Sequence, residues 1–448
     1  MGRRSVTGST PARSFDLDGP TSLAIEDGIL YILELGKPQI RRLDLKTGTI
    51  STLNTSRPLE VPDQLAVDHH GGLLVAEMAR VVRVSTSDGT VTTVAGTGDF
   101  GDSGDGGLAL QAHLSSVSGL AIDALGGIYV ADWRVRRIDA RTGVITSIAG
   151  AQLRGANHKP TTGDGGPALS AGLDYLDSVA VDTRGNVYIA QFGEYADGHR
   201  IRRVDAVTGV IETIVGPGTH VDVDPSIAGT PWRIQNPGEL TWDRTGGLLF
   251  LDPVNGRVLR LDVASRSVRA IAGSSRGNSG DGGPATQARF KNPSGLAVDD
   301  DGNIFVADFA ANRVRRIDQK TGKVRTVVGT GRVSAEPMII DSQPVYPSPE
   351  AETCQNEITK PALIVDAVDQ AGGPIPEATV VMVTIASASE VSSWQTDAAG
   401  RAILTAPRSG NYAVMVSAPG FLPETRALRL SSGCSGKFSA ILKIAPVK

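Results

Sequence analysis

One motif recurs through the first three quarters of this chain. Its last copy reads Pro293-Ser-Gly-Leu-Ala-Val-Asp-Asp-Asp-Gly-Asn-Ile-Phe-Val-Ala-Asp308, then Asn312-Arg-Val-Arg-Arg-Ile-Asp318, a Thr321-Gly322 turn and Lys323-Val-Arg-Thr-Val-Val-Gly329. A second copy runs from Ser118 to Gly150, and the same frame starts at Leu23, Leu65, Val179 and Leu240. Five steps separate Leu23 from Leu296, a mean period of about 55 residues, which suits a propeller blade rather than a solenoid turn. Each copy holds four short β-rich runs joined by Gly-bearing turns, the pattern of an antiparallel meander. A lone four-stranded sheet has two faces to bury. Packing such sheets radially buries both, and closing the ring protects their edges.

Composition agrees with many short strands. Apolar residues make up 40% of the 448, enough for sizeable cores, and 53 glycines with 25 prolines supply the turns. Net charge is −4 and aromatics are 4%, which argues against a nucleic-acid binder and against stacking platforms. No apolar h-region follows Met1-Gly2-Arg3-Arg4, and Val6 stands where a myristoylation signal wants Ser or Thr. The longest apolar run, around Ala378–Ala386, is too short to span a bilayer.

Over Pro20–Gly331 the frame resembles the NHL repeat family. The resemblance includes the linker Gly-Asp-Gly-Gly-Pro-Ala, present as Gly104–Gly107, Gly163–Ala168 and Gly280–Ala285. It implies an all-β fold with a six-bladed propeller. Six copies complete the ring without borrowing a strand, although Ser5–Gly8 has the look of a stray fourth strand that a strand exchange would use. Residues 1–19 read as an N-terminal arm, 20–331 as the propeller and 332–357 as a Pro-rich linker (Pro337, Pro344, Pro347, Pro349). From 358 to 448 the segments Asp369–Val381, Thr396–Arg401 and Tyr412–Phe421 resemble the carboxypeptidase regulatory-like domain, an Ig/transthyretin-like β-sandwich that serves as an accessory module. Cys354 precedes its first strand and Cys434 its last. If those edge strands lie side by side and parallel, the sulfurs meet, and a disulfide there implies a secreted, periplasmic or cell-surface protein. The alternative is two unpaired thiols.

Repetition argues against chemistry in the repeated residues. The set Glu34, Glu77, Asp132, Gln191, Asp252 and Asp308 ends the second strand of every blade and reads as caps and partners for third-strand arginines such as Arg136 and Arg315. The Arg-Arg pairs (Arg41-Arg42, Arg136-Arg137, Arg202-Arg203, Arg315-Arg316) send one guanidinium to each face of a blade and suggest inter-blade ion pairs. The Gly-Asp-Gly-Gly loops lack the Lys of a phosphate loop and the spacing of an EF-hand. They read as turns, with weak calcium binding around Asp102 and Asp105 as the alternative.

Departures from the repeat say more. Strand direction alternates, so second-to-third loops, inter-blade links and the starts of inner strands share one face. That face collects Asp63, Gln64, Asp177 and Glu239, the blade-four insertion with Tyr195 and His199, the link with His220 and Trp232, and His158. The expected function is therefore an extracytoplasmic binding or scaffold protein, a monomer that presents this face to a protein, peptide or glycan, without nucleic acid. The alternative is a metal-assisted lyase or hydrolase with Asp63, Asp177 and Glu239 around calcium or zinc. The histidine-held zinc of NHL-type amidating lyases does not carry over, because the six histidines occupy unmatched blade positions and His69-His70 fall on the opposite face. Streptogramin lyases are similar propellers with seven blades, which counts against them.

Overall fold

The computed structural model describes residues 10–331, apart from 152–161, 174, 192–198 and 218–235 (of which 219, 222–223 and 234 are described). Beyond them it describes the backbone of 353–354, 362–368, 379–384, 391–399, 401–405, 410–417, 421–422, 424–430, 434–441 and 443–444. The chain divides into two compact units, Met1–Glu336 and Pro337–Lys448.

The first unit is a ring of six antiparallel sheets. Their innermost strands are Pro20–Glu26, Leu65–Val67, Gly119–Ile122, Leu176–Val181, Leu240–Trp242 and Pro293–Val298, each followed in order by three further strands. The cores lie between blades, as radial packing of two-faced sheets requires. Between blades six and one, Phe305, Ala307 and Val314 meet Leu23, Leu30 and Ile32. Between blades four and five, Tyr188 meets Trp242 edge-on with ring centroids 5.0 Å apart.

Each Gly-Asp-Gly-Gly linker ends in a short 3-10 turn on an alanine that ties two blades. Ala109, Ala168 and Ala285 accept from Gly96, Gly150 and Gly273 of the blade behind, and donate to the carbonyls of Gly143, Gly209 and Gly322 ahead. The same tie recurs at the ring closure. There Gly329 N–H donates to Ala12 O, Ala12 N–H to Gly48 O and Thr330 N–H to Phe15 O. Thr10–Pro11 pairs with the outer strand Thr49–Leu53 of blade one. Thr10-Pro11-Ala12 thus takes the place of a linker at this seam, and among the described residues each blade draws its four strands from consecutive sequence. Ser5–Gly8 lies outside the described residues.

In the second unit, Ala362–Val368 runs parallel to Cys434–Ile441 and antiparallel to Arg401–Thr405. A second sheet carries Val391–Gln395, Thr379–Thr384, Gly410–Ser417 and Glu424–Leu430 in that order. The first and last main strands are therefore parallel neighbours, the arrangement on which the disulfide expectation was conditional. Thr353–Cys354 adds antiparallel to Cys434–Ile441, and Cys354 stands directly opposite Cys434 in the register.

Candidate functional site

The channel of the ring is lined by the exposed edges of six inner strands, so their N–H groups need partners. The residue before the conserved-frame Leu or Val supplies them, each serving the next blade. Ser22 Oγ accepts from Leu65 N–H at 3.1 Å, Gln64 Oε1 from Leu120 N–H, Ser178 Oγ from Leu240 N–H at 3.1 Å and Glu239 Oε2 from Leu296 N–H at 3.2 Å. Blades three and six have Gly119 and Gly295 here because the next strand approaches too closely. A Cβ on Gly295 would lie 2.6 Å from Thr21 O, and one on Gly119 would lie 3.0 Å from Val179 N. The order Ser, Gln, Gly repeats as Ser, Glu, Gly, so blades one to three and four to six form two matching halves at the channel. Ser22 Oγ also donates to Glu239 Oε1 at 3.4 Å, and Gln64 Nε2 to Ser178 Oγ at 3.5 Å. Together these side chains cross the channel as a polar plug.

One residue further toward the mouth stand Asp63 and Asp177. Both are deeply set yet partly accessible. Burial pushes the Asp63 carboxyl up to about 7. Burial first, and then the Asp63 charge, hold Asp177 well above the carboxylate range. Glu239 is raised well above it as well, chiefly by burial and further by Asp177, against hydrogen bonds from Leu296, Gln64 and Ser22 that favour its ionised form. A Cβ on Gly238 would sit 3.5 Å from Asp177 Oδ2, which places that carboxylate against the Glu239 segment. Among the described residues no cation offsets this acidic set: the causes acting on the three carboxyls include no Lys or Arg.

Sequence reasoning thus brought Asp63, Gln64, Asp177 and Glu239 to one place, and the structure gathers them at the channel. It missed Ser22 and Ser178, which were legible as hydroxyls at the same frame position. His199 is half-buried just ahead of the strand Arg200–Val204. Tyr195, Trp232, His158 and His220 lie outside the described residues. Among the described residues no group of three or more His, Cys, Asp or Glu is arranged to hold a metal ion. Both Glu239 oxygens accept hydrogen bonds within the plug.

Below the plug a cavity of about 360 Å³ continues along the inner strands and opens beside His69, Asp243 and Arg244 on the far face. The arginines behave differently from the inter-blade expectation. Arg136, Arg202 and Arg315 are buried and clamp the linker that enters their own blade. Arg202 meets Asp164 at 2.6 Å and the carbonyls of Thr162 and Gly172, and Arg315 meets Asp281 at 2.6 Å and the carbonyls of Ser279 and Arg289. Their neighbours mostly tie back within the blade, as Arg137 does to Asp123 at 3.1 Å. Second-strand acids share the work: Glu34 takes Arg41 and Asp132 takes Arg136, whereas Asp308 accepts Lys291 and Asn292 N–H. Asp102 and Asp105 both hold Arg134.

These features define a class: an NHL-type six-bladed β-propeller followed by a carboxypeptidase regulatory-like domain. The Teneurin NHL domain matches residues 156–276 and 259–346, and the Carboxypeptidase regulatory-like domain matches 365–440. Teneurin-1 of Homo sapiens is 26% identical over 340 residues, covering 69% of this chain and 12% of the relative. NHL repeat-containing protein 2 of Gallus gallus is 25% identical over 337 residues, covering 68% and 39%. The chain thus spans well under half the length of these relatives. Among solved structures, a structural genomics protein of unknown function from Bacteroides thetaiotaomicron VPI-5482 shares the propeller fold at 15% identity and a TM-score of 0.50, over 69% of this chain and 71% of that one. Among the described residues no helix is long and apolar enough to cross a membrane.

Proposed function

We propose that the protein is a non-catalytic binding module whose channel-mouth face receives a basic group, a lysine or arginine of a protein or peptide partner. The observation that carries this reading is the set Asp63, Asp177 and Glu239, all raised chiefly by burial, with the Asp63 charge acting on Asp177 and the Asp177 charge on Glu239, and with no cation of the described residues among the causes. Buried like charges are costly until a partner supplies the opposite one. The rigid plug beneath them holds the carboxylates in place before binding, which lowers the ordering cost of association. The metal-assisted alternative draws no support from the ligand geometry. The opposition of Cys354 and Cys434 in register supports a disulfide, and with it an oxidising, extracytoplasmic setting.

The test is panning of a random peptide library on the immobilised chain, with the isosteric Asp63→Asn/Asp177→Asn variant as the comparison. Lys- or Arg-bearing sequences enriched by the wild type and not by the variant support the proposal. Equal enrichment by both, or none by either, overturns it.

A further inference from the structure

A cavity of about 870 Å³ lies away from the acidic mouth, on the opposite face at the seam of blades six and one. A clipped turn opens it. Eight residues separate the paired Leu23 and Ile32 of blade one, where nine separate Leu296 and Val306 of blade six. Blade one therefore closes as a two-residue Asp27-Gly28 hairpin, with φ of 50° and 75°. The ion pairs that tie this edge in other blades (Arg83 with Asp68, Arg137 with Asp123, Arg260 with Asp243) are missing from both walls. In blade one Glu26 faces His69 and Arg42 reaches Thr86 O; in blade six Arg316 turns outward to Asp318.

The floor of that gap is apolar: half-buried Ile25, Leu45 and Val327, with buried Leu43 and Phe305 of the inter-blade core behind them. Its charges are sorted along its length. Arg13 of the closing segment and Arg325 of the outermost strand stand exposed at the outer end, and neither makes an ion pair among the described residues. Asp27 and Asp301 stand exposed at the turns of the inner lip. Of the other acids around it, Asp44 accepts from the N–H groups of Lys46 and Thr47, Asp299 from Asn303, and the exposed Asp300 pairs with Arg244.

We infer that this seam is a second binding site, for a small amphipathic anion with an apolar body and one carboxylate, sulfonate or phosphate head. The body lies over Ile25, Leu45 and Val327, and the head meets Arg13 and Arg325. The volume falls within the range of small-molecule sites, roughly 300–1,000 Å³, which pair apolar walls with a few polar groups that fix orientation. A charge-assisted contact at one end only gives the ligand a single orientation.

Fluorescence titration of the intact chain with 8-anilino-1-naphthalenesulfonate tests the site, with N-phenyl-1-naphthylamine as a neutral body without the head. One saturable sulfonate site is expected. Leu45→Trp, which fills the floor, should abolish it. Arg13→Glu/Arg325→Glu should weaken the sulfonate about tenfold or more while changing the neutral probe by less than about twofold, as loss of a charge-assisted contact dictates. Asp63→Asn/Asp177→Asn should leave both unchanged, which separates this site from the mouth. Non-saturable binding, retention in Leu45→Trp, or equal loss of both probes in the arginine variant would overturn the inference.

Discussion

At the residue scale, the channel carboxyls make stability depend on pH in an uncommon direction. A carboxyl whose pKa is higher in the folded than in the unfolded chain holds its proton more tightly when folded. The stability tied to that proton is present at low pH and is lost as pH rises from the ordinary carboxylate range through the folded pKa. For Asp63 that window ends at about 7, and Asp177 shifts in the same direction. Melting curves between pH 5 and 8 should therefore show Asp63→Asn/Asp177→Asn gaining on the wild type as pH rises. Parallel curves would show that the two carboxyls are solvated. Arg315 makes the opposite case, a buried charge that is fully used. Arg315→Leu should cost about 2–3 kcal/mol in urea unfolding, because it leaves the carbonyls of Ser279 and Arg289 without their donor, while the partly exposed Asp281 keeps Thr326 N–H. Adding Asp281→Asn should cost less than the sum of the two single changes. Blades two and five show why: they carry Val82 and Leu259 at this position, and the Gly-Asp-Gly-Gly loop is absent from the links entering them.

At the scale of elements, strands were legible because their periodicity and turn chemistry repeat six times over, and linkers because the Gly-Asp-Gly-Gly motif recurs three times. The acidic mouth was legible for the converse reason, since Asp63, Asp177 and Glu239 interrupt that repeat. Two things were hidden. The role of the linkers depends on which carbonyls Arg136, Arg202 and Arg315 reach, and alternation along a strand reveals the face of a side chain but not its partner. The closing segment was hidden because it keeps only Pro11-Ala12 of the linker consensus, too little to stand out before Ala12 is seen donating to Gly48. Removal of residues 1–17 should accordingly loosen blades six and one. The expected outcome is a clear fall in melting temperature and faster amide exchange in the outer strands Val324–Val328 and Thr49–Leu53. Unchanged exchange in both would mean that the ring is held by its inter-blade cores alone.

At the scale of the whole molecule, a rigid ring carries two chemically unlike openings on opposite faces. One is acidic and narrowed by the plug at Ser22, Gln64, Ser178 and Glu239; the other is apolar with a basic end. Such a scaffold holds groups in place without having to move, as suits a binding module rather than a switch. The second unit adds a redox prediction. A non-reducing peptide map should recover Cys354 and Cys434 in one linked fragment, and two alkylated thiols would remove the support for an extracytoplasmic setting. The central claim concerns the mouth, and calorimetric titration with a basic peptide from the library tests it most directly. Asp63→Asn/Asp177→Asn should abolish the heat of binding with the fold intact, whereas His69→Ala/His70→Ala on the far face should bind like the wild type. The reverse pattern, binding lost with the histidines and kept without the carboxylates, would contradict the account.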